Sequence, residues 1–301
     1  MLVVENHLTI IVVSFNCRTY IDKCLLSINN NIDKKVKVII VDNNSSDGTK
    51  ELLMNKYPDM VAIINTKNIG YGSAVNVALK MAKTKYALIL NADVEFIDDS
   101  IVKLCDYMDL NDKIALMGCT YLNTNCTLQY KGALIPRRSM LFYMFDAMLG
   151  KHIPRKIKYL TDESEISKVR KIAMVQGACM MLRREAIEDV GYFDDNLFLF
   201  GEEQDLAIRL ENKKWDIYID PNVKVIHHGS VSINTMSERS FVEKHKAEYY
   251  VLKKHKGLML AYYYRLLVLL KYLMYVFKKG EEKSKETKLV KWAIGVKTDE
   301  S

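Results

Sequence analysis

Between Leu8 and Leu90 the chain repeats one pattern: a short run rich in Val and Ile with little polar alternation, then a stretch of helical periodicity. The apolar runs are Leu8 to Ser14, Val36 to Val41, Met60 to Ile64 and Tyr86 to Leu90; the helical stretches between them are Tyr20 to Asn30, Thr49 to Lys56 and Ser73 to Lys83. Strands that do not alternate are those buried on both faces of a parallel sheet covered by helices, so the pattern predicts a doubly wound α/β fold. Ligands of such sheets sit beyond the carboxyl ends of the strands. The residues just after each run are Phe15-Asn16, Asp42-Asn43-Asn44, Asn65 to Gly72, and Asn91-Ala92-Asp93, and the chemistry is expected there.

The pattern weakens from about Asp106 to Lys171, which contains a basic cluster (Lys151, Arg155, Lys156, Lys158) and an apolar run, Met140 to Leu149. It returns with a strand-like segment Ile172 to Arg183, a short helix Arg184 to Val190 closed by Gly191, a helix Glu203 to Asn212, and a strand pair, Asp216 to Ile219 and Val223 to Ile226. With 301 residues, 49% of them hydrophobic, the chain can bury a sizeable core without disulfides. Its six cysteines show neither Cys-x-x-Cys nor a short Cys/His zinc spacing and read as reduced packing residues. The net charge of +7 is concentrated at one end: from Val251 to Ser301 there are 12 Lys/Arg against 5 Asp/Glu, and the rest is neutral. A neutral body argues against a nucleic-acid-binding one and leaves a basic tail for anchoring or docking.

Several segments can carry chemistry. Asp42 stands at the mouth of the second predicted strand, where a carboxylate can accept from a base or ribose; turn chemistry explains Ser46-Asp47-Gly48 just beyond it, with Ser46 or Asp47 as a helix N-cap. Asn68-Ile69-Gly70-Tyr71-Gly72 is a strand-to-helix turn whose glycines permit close backbone approach and whose helix start can face a phosphate. A dinucleotide fingerprint belongs after the first strand, however, and Ser14 to Arg18 contains no glycine, which disfavours a nicotinamide or flavin enzyme and a triphosphate-binding nucleotidyltransferase alike. Asp93 suits a hard divalent cation that takes one or two carboxylates plus substrate phosphates, although an ordinary surface acid explains it equally. Glu202, Glu203 and Asp205 open a helix, where acids favour the macrodipole and can also supply a general base. His227-His228 closes a strand and is a weak metal signal alone.

Taken in order from about Leu8 to Ser232, these segments resemble the family 2 inverting glycosyltransferases of the GT-A fold, the rhamnosyltransferase-like subgroup in particular. The metal motif Asp-x-Asp falls on Asn91-Ala92-Asp93, Gly-Ala-x-Met-x-x-Arg-Arg on Gly177 to Arg184, Gly-x-Phe-Asp on Gly191 to Asp194, the Glu-Asp base pair on Glu202-Glu203, and His-x-Gly-Gly-x-Ser on His227 to Ser232. The resemblance implies a Rossmann-like mixed, mostly parallel sheet flanked by helices, with a catalytic domain over residues 1–235 (donor half 1–105, acceptor half 106–235) and a helical, amphipathic, basic tail over 236–301. It also implies roles. Ser14, Asn16, Asp42, Asn44, Asn68, Gly70, Asn76, Asn91, Ala92 and Asp93 hold the nucleotide sugar, Gly177 and Ala178 lie on the acceptor side, and Asp93 with His227 binds Mg²⁺ or Mn²⁺. Glu203 is the base, with Glu202 as its fallback. The reaction implied is transfer of a sugar, rhamnose from dTDP-rhamnose, onto a hydroxyl of a glycan or lipid-linked glycan; a UDP-sugar transferase or an inactive glycan- or partner-binding relative is the alternative.

Met1 to His7 lacks the pattern of a secretory signal, so a cytoplasmic protein is expected. Leu258 to Phe277 is long enough to span a bilayer, but Arg265, Lys271 and its tyrosines suit a helix lying on an anionic membrane surface, which implies peripheral association with the inner face.

Overall fold

In the computed structural model, residues 7–130, 168–229, 237–279 and 284–295 are described. The basic cluster at Lys151 to Lys158, the run Met140 to Leu149, and Ser230 and Ser232 lie outside them.

The first half is the repeat expected: β1 (Leu8–Ser14), α1 (Arg18–Asn31), β2 (Lys37–Asp42), α2 (Thr49–Lys56), β3 (Val61–Ile64), α3 (Tyr71–Met81) and β4 (Tyr86–Asn91). Every residue of β1 is buried, as a strand without alternation must be. Its side chains feed two apolar clusters, one holding Ile10, Val12, Leu25 and Leu88, the other Ile11, Val13, Ala78 and Ile89. Each large side chain among them contributes about 1.5–3 kcal/mol of burial. β3 departs from the expectation: it is the edge of the sheet, and Val61 and Ala62 are exposed.

The remaining elements are β5 (Val94–Phe96), α4 (Lys103–Asp109), β6 (Ile114–Leu122), β7 (Leu128–Tyr130), β8 (Arg170–Lys171), β9 (Cys179–Arg183), α5 (Arg184–Val190), α6 (Glu202–Asn212) and β10 (Asp216–His227). The strand order is β3-β2-β1-β4-β9-β6-β10-β5, with β7 on β6 and β8 on β10. β3, β2, β1 and β4 run parallel, as do β6 and β10; β9 inserts antiparallel between β4 and β6, and β5 pairs antiparallel with β10. The sheet is mixed, as in the GT-A fold: β3, β2, β1 and β4 lie together, β9, β6 and β10 follow, and β5 returns to the far edge.

Three local expectations are corrected. The predicted strand pair after Asp216 is one strand with a register shift between Asp220 and Lys224, at Pro221, whose missing N–H cannot join the ladder. Only Cys179–Arg183 of the predicted Ile172 to Arg183 strand is a continuous strand. Neither Ser46 nor Asp47 is the N-cap of α2; Gly48 is, at φ +86°, while Asp47 Oδ1 accepts from Thr49 N and Oγ1 at 3.1 and 2.6 Å.

Arg183 is buried at the end of β9, where its guanidinium donates to the carbonyls of Ile114, Met108 and Asn111 and lies over the Tyr86 ring. It adds a charged donor to carbonyls at the end of α4 that also accept backbone N–H groups, Met108 from Asn111 and Asn111 from Ile114. Cys17, Cys24, Cys105, Cys119 and Cys179 are buried free thiols, and burial pushes Cys17 up to about 11 and Cys105 up to about 12. The tail is α7 (Ser237–Lys256), α8 (Leu258–Lys279) and α9 (Ser284–Ala293), packed on one another around Val242, Leu252, Ala261, Tyr264, Val268 and Leu289. Among the described residues no helix is long and apolar enough to cross a membrane.

Candidate active site

An open cleft lies beyond the carboxyl ends of β1 and β4. Its lining brings together Asn68, Gly70, Asn91, Ala92, Asp93, Gly177, Ala178, Glu202, Glu203 and His227 from the predicted set. It also includes Val13, Phe15, Asn43 and Tyr71, from strand ends and turns where chemistry is expected, and Gln176, Phe198, Leu199 and Phe200, to which the sequence alone assigns no role.

Asp93 occupies the turn between β4 and β5, and His227 ends β10; the pairing of His227 with Val94 and the His228 N–H donated to the Asp93 carbonyl at 2.9 Å fix them side by side. Both are nearly inaccessible. The Gln129 amide orients the imidazole: its Nε2 donates to the His227 carbonyl at 3.0 Å, so its Oε1, 2.6 Å from Nδ1, accepts the ring proton. In the neutral ring Nε2 then carries its lone pair; it is buried, without a hydrogen bond, and 3.5 Å from Asp93 Oδ1. A lone pair facing a carboxylate oxygen repels it unless a cation lies between, and an imidazole held through its other nitrogen is how proteins prepare a metal ligand. Among the described residues no three His, Cys, Asp or Glu side chains converge. The pair therefore fits an ion that completes its shell with substrate phosphates and water.

Gly201, left-handed at φ +81°, launches α6 and places Glu202 and Glu203 in its first turn. Glu203 Oε1 accepts the Gly177 N–H at 2.8 Å, and Tyr71 Oη donates to the Gly177 carbonyl at 2.7 Å. A Cβ on Gly177 would stand 2.5 Å from Glu203 Oε1, so this contact requires glycine. Burial raises the Glu203 carboxyl above the usual range, opposed by backbone N–H groups that include Gly177. Glu202 is raised well above it, by burial and by the neighbouring Glu203, and its Oε2 makes no hydrogen bond.

The wall beside these acids is the loop Phe198 to Gly201. The Phe198 carbonyl accepts the Tyr71 N–H at 2.9 Å, and a Cβ on Gly70 (φ +89°) would meet that carbonyl oxygen at 2.5 Å. Phe200 sits at φ +69°, a costly conformation for a bulky side chain, and packs against the Leu197, Ile208, Ala247 and Val251 cluster that joins α6 to α7. Asn43 ties the neighbouring turn: its amide donates to Asn68 Oδ1 (2.8 Å) and the Gly70 carbonyl (3.1 Å), and its oxygen accepts from Asn65 Nδ2 and Ile69 N.

Ser14, Asn16, Asp42, Asn44 and Asn76 are not brought to the cleft wall. Asp42 is buried, with both oxygens accepting from Ser45 (N 2.9 Å, Oγ 2.6 Å); Ser14 Oγ contacts Cys17 Sγ, and Asn16 Oδ1 accepts the Ser46 N–H at 2.8 Å. Asn16 and Asn44 adopt φ +47° and +68°, so this group forms the turns that lead out of β1 and β2. Asn76 on α3 clips the Phe193 backbone from both sides, at 2.8 and 3.0 Å.

α7 braces the acidic helix. Asp205, fully buried on α6, accepts from Arg209 Nε (2.8 Å), Lys254 Nζ (2.7 Å) and His255 Nε2 (2.7 Å). Lys254 also reaches Asp194 at 2.6 Å, beside the Tyr250 hydroxyl at 3.0 Å. These partners hold Asp205 below the usual carboxylate range against its burial, and they draw Asp194 lower still.

A mixed sheet of this order, with acids gathered at its carboxyl edge and at the head of a neighbouring helix, is that of a GT-A glycosyltransferase. The chain belongs to glycosyl transferase family 2, whose profile matches residues 9–191. It is 26% identical over 266 residues to an N-acetylglucosaminyl-diphospho-decaprenol L-rhamnosyltransferase of Mycobacterium tuberculosis, covering 83% of this chain and 85% of that one. Similar folds include GalNAc-T7 with UDP, GalNAc and Mn²⁺ (TM-score 0.57, 13% identity, 82% of this chain and 47% of that one). A mannosyltransferase of Pyrobaculum calidifontis with GDP-Man and Mn²⁺ is another (TM-score 0.53, 16% identity, 96% of this chain and 79% of that one).

Proposed function

We propose that this glycosyltransferase moves rhamnose from dTDP-rhamnose to a hydroxyl of a lipid-linked glycan, with inversion, at the inner face of a membrane on which its basic tail docks. The observation that carries the mechanism is Glu203, half-buried and held by the Gly177 N–H in the same cleft as the Asp93–His227 pair. Glu203 takes the proton of the acceptor hydroxyl while that oxygen attacks the anomeric carbon; the bond from that carbon to the diphosphate oxygen breaks, and the nucleoside diphosphate leaves. Asp93 Oδ1 and His227 Nε2 would hold Mg²⁺ or Mn²⁺, which when bound neutralises charge on the departing diphosphate. The imidazole nitrogen tilts the choice to Mn²⁺. Phe15 and the Asn43–Asn68–Gly70 turn lie beside the nucleotide, and Phe198 to Phe200 offer an apolar wall to a deoxysugar.

The rhamnosyl choice is supported by the mycobacterial relative, whose name specifies L-rhamnose and a diphospho-polyprenol acceptor. A base must be ionised to act, and burial raises this one, so turnover is expected to fall as pH drops through its raised pKa. The deciding experiment is transfer from dTDP-rhamnose against UDP-sugars, with Glu203→Gln expected to lower turnover about 10²–10⁴-fold while nucleotide binding stays. Transfer from a UDP-sugar alone would replace the donor; no transfer from any donor would leave a binding relative.

A further inference from the structure

α8 turns one side inward, with Ala261, Tyr264 and Val268 fully buried against α7 and α9. Its other side carries Leu258, Met259, Tyr262, Tyr263, Leu266 and Leu270, each about half exposed except Met259, which is 88% exposed. At 3.6 residues per turn these six fall within an arc of about 140°. No charged residue lies in that arc: Arg265 is on its flank, donating to the carbonyls of Trp292 and Ala293 at 2.6 and 3.1 Å. Around the stripe the charge has one sign. From Val251 to Gly280 there is no Asp or Glu, while Lys253, Lys254, Lys256, Arg265, Lys271, Lys278 and Lys279 are present, with Lys253 and Lys256 exposed at the Gly257 turn.

We propose that α8 lies in the plane of an anionic bilayer, seating Leu258, Met259, Tyr262, Tyr263, Leu266 and Leu270 among the acyl chains while the flanking lysines meet acidic head groups. This names the surface for the docking proposed above and rests on that reading. Charge complementarity selects the occupant: an apolar helix face flanked by exposed Lys253 and Lys256, with the neighbouring Glu248 turned to the Tyr264 hydroxyl, suits an anionic lipid surface, whereas a second copy pairing stripe to stripe would set lysines against lysines. The helix is also well placed for the cleft. Towards its far end, Tyr272 packs on Phe241 and His245 of α7, the helix whose Arg239 lies over the Phe198 ring in the cleft wall.

The test is co-sedimentation of the full chain with phosphatidylcholine vesicles, with and without phosphatidylglycerol, none containing a sugar acceptor. Anionic vesicles should bind the protein at least about tenfold more tightly than neutral ones, weakening as salt rises. Met259→Glu with Leu266→Glu, and separately Leu270→Glu, should lose about tenfold or more with unchanged melting temperatures, because all three side chains are exposed. The proposal is overturned if the wild type stays in the supernatant, if the folded variants bind as well as it does, or if the stripe instead forms a concentration-dependent dimer that the variants dissolve. Vesicle binding without sugar transfer would defeat the functional reading alone. Transfer to a soluble acceptor without vesicle binding would defeat the membrane docking and leave the transfer reaction standing.

Discussion

Glu202 and Glu203 share the first turn of α6 but stand in different surroundings, and each difference can be measured. Glu203 has a backbone N–H to receive it, so Gly177→Ala, whose Cβ would fall 2.5 Å from its Oε1, should displace the carboxylate. Turnover should drop about tenfold or more, the penalty for a misplaced catalytic group, while nucleotide affinity measured by titration stays near wild type; an equal loss of both would place Gly177 in donor binding instead. Glu202 has a buried oxygen with no hydrogen-bond partner, a cost that Glu202→Gln can report. Because its folded pKa is raised, the stability it contributes is present below the unfolded pKa and lost as pH rises towards the folded one. Glutamine does not titrate, so the variant should gain on the wild type as pH rises above the ordinary carboxylate range; a gap in melting temperature that is the same in acid and at neutral pH would sink this. The acids, Asp93 and His227 were legible because their residue types fit a known order of motifs. Asn43 was not, since an amide in a run of polar turn residues shows nothing of the four bonds it makes. Asp42 looked the better candidate because a carboxylate at a strand end is conspicuous; its oxygens each accept one bond from Ser45, outside the cleft lining.

Among the elements, α7 decides how firmly α6 presents its acids. Lys254 joins Asp205 of α6 to Asp194 in the preceding loop, so Lys254→Met removes one cation shared by two carboxylates. The expected loss is about 1–3 kcal/mol of stability together with a fall in turnover that exceeds any change in substrate half-saturation, and Lys254→Arg should recover both. Loss of stability with unchanged turnover would make the brace purely structural. β1, β2 and β4 and their helices could be read from Val- and Ile-rich runs because burial leaves that mark, whereas β6, equally buried, mixes Ala, Met, Gly, Cys and Thr and was not read. β5 could not, being three residues long, and β10 was read as two strands because Pro221 resembles a terminator when it only shifts the register.

At the level of the whole molecule, the site draws Asp93 and His227 from segments far apart in sequence that become neighbours through the β5–β10 pairing. An ion held by both should therefore stabilise the folded chain, by about 2.7 kcal/mol at a concentration 100 times its Kd. Thermal melts with Mn²⁺, EDTA and the His227→Ala variant check this: a Mn²⁺ shift that His227→Ala leaves intact would remove the imidazole from the ligand set. The same pairing is one instance of a broader interleaving, in which β9 and β10 are inserted next to β4, β6 and β5. A ribosome supplies these strands in a fixed sequence. When Tyr130 has emerged, β1 to β4 can already pair, but β4 and β6 must wait for β9 and β5 for β10, so sheet edges stand open until His227 is made. At roughly 5–20 residues per second that interval lasts on the order of 5–20 s, long enough for unpaired edges to find other chains, so the strand order itself exposes the nascent chain to mispairing before the sheet closes.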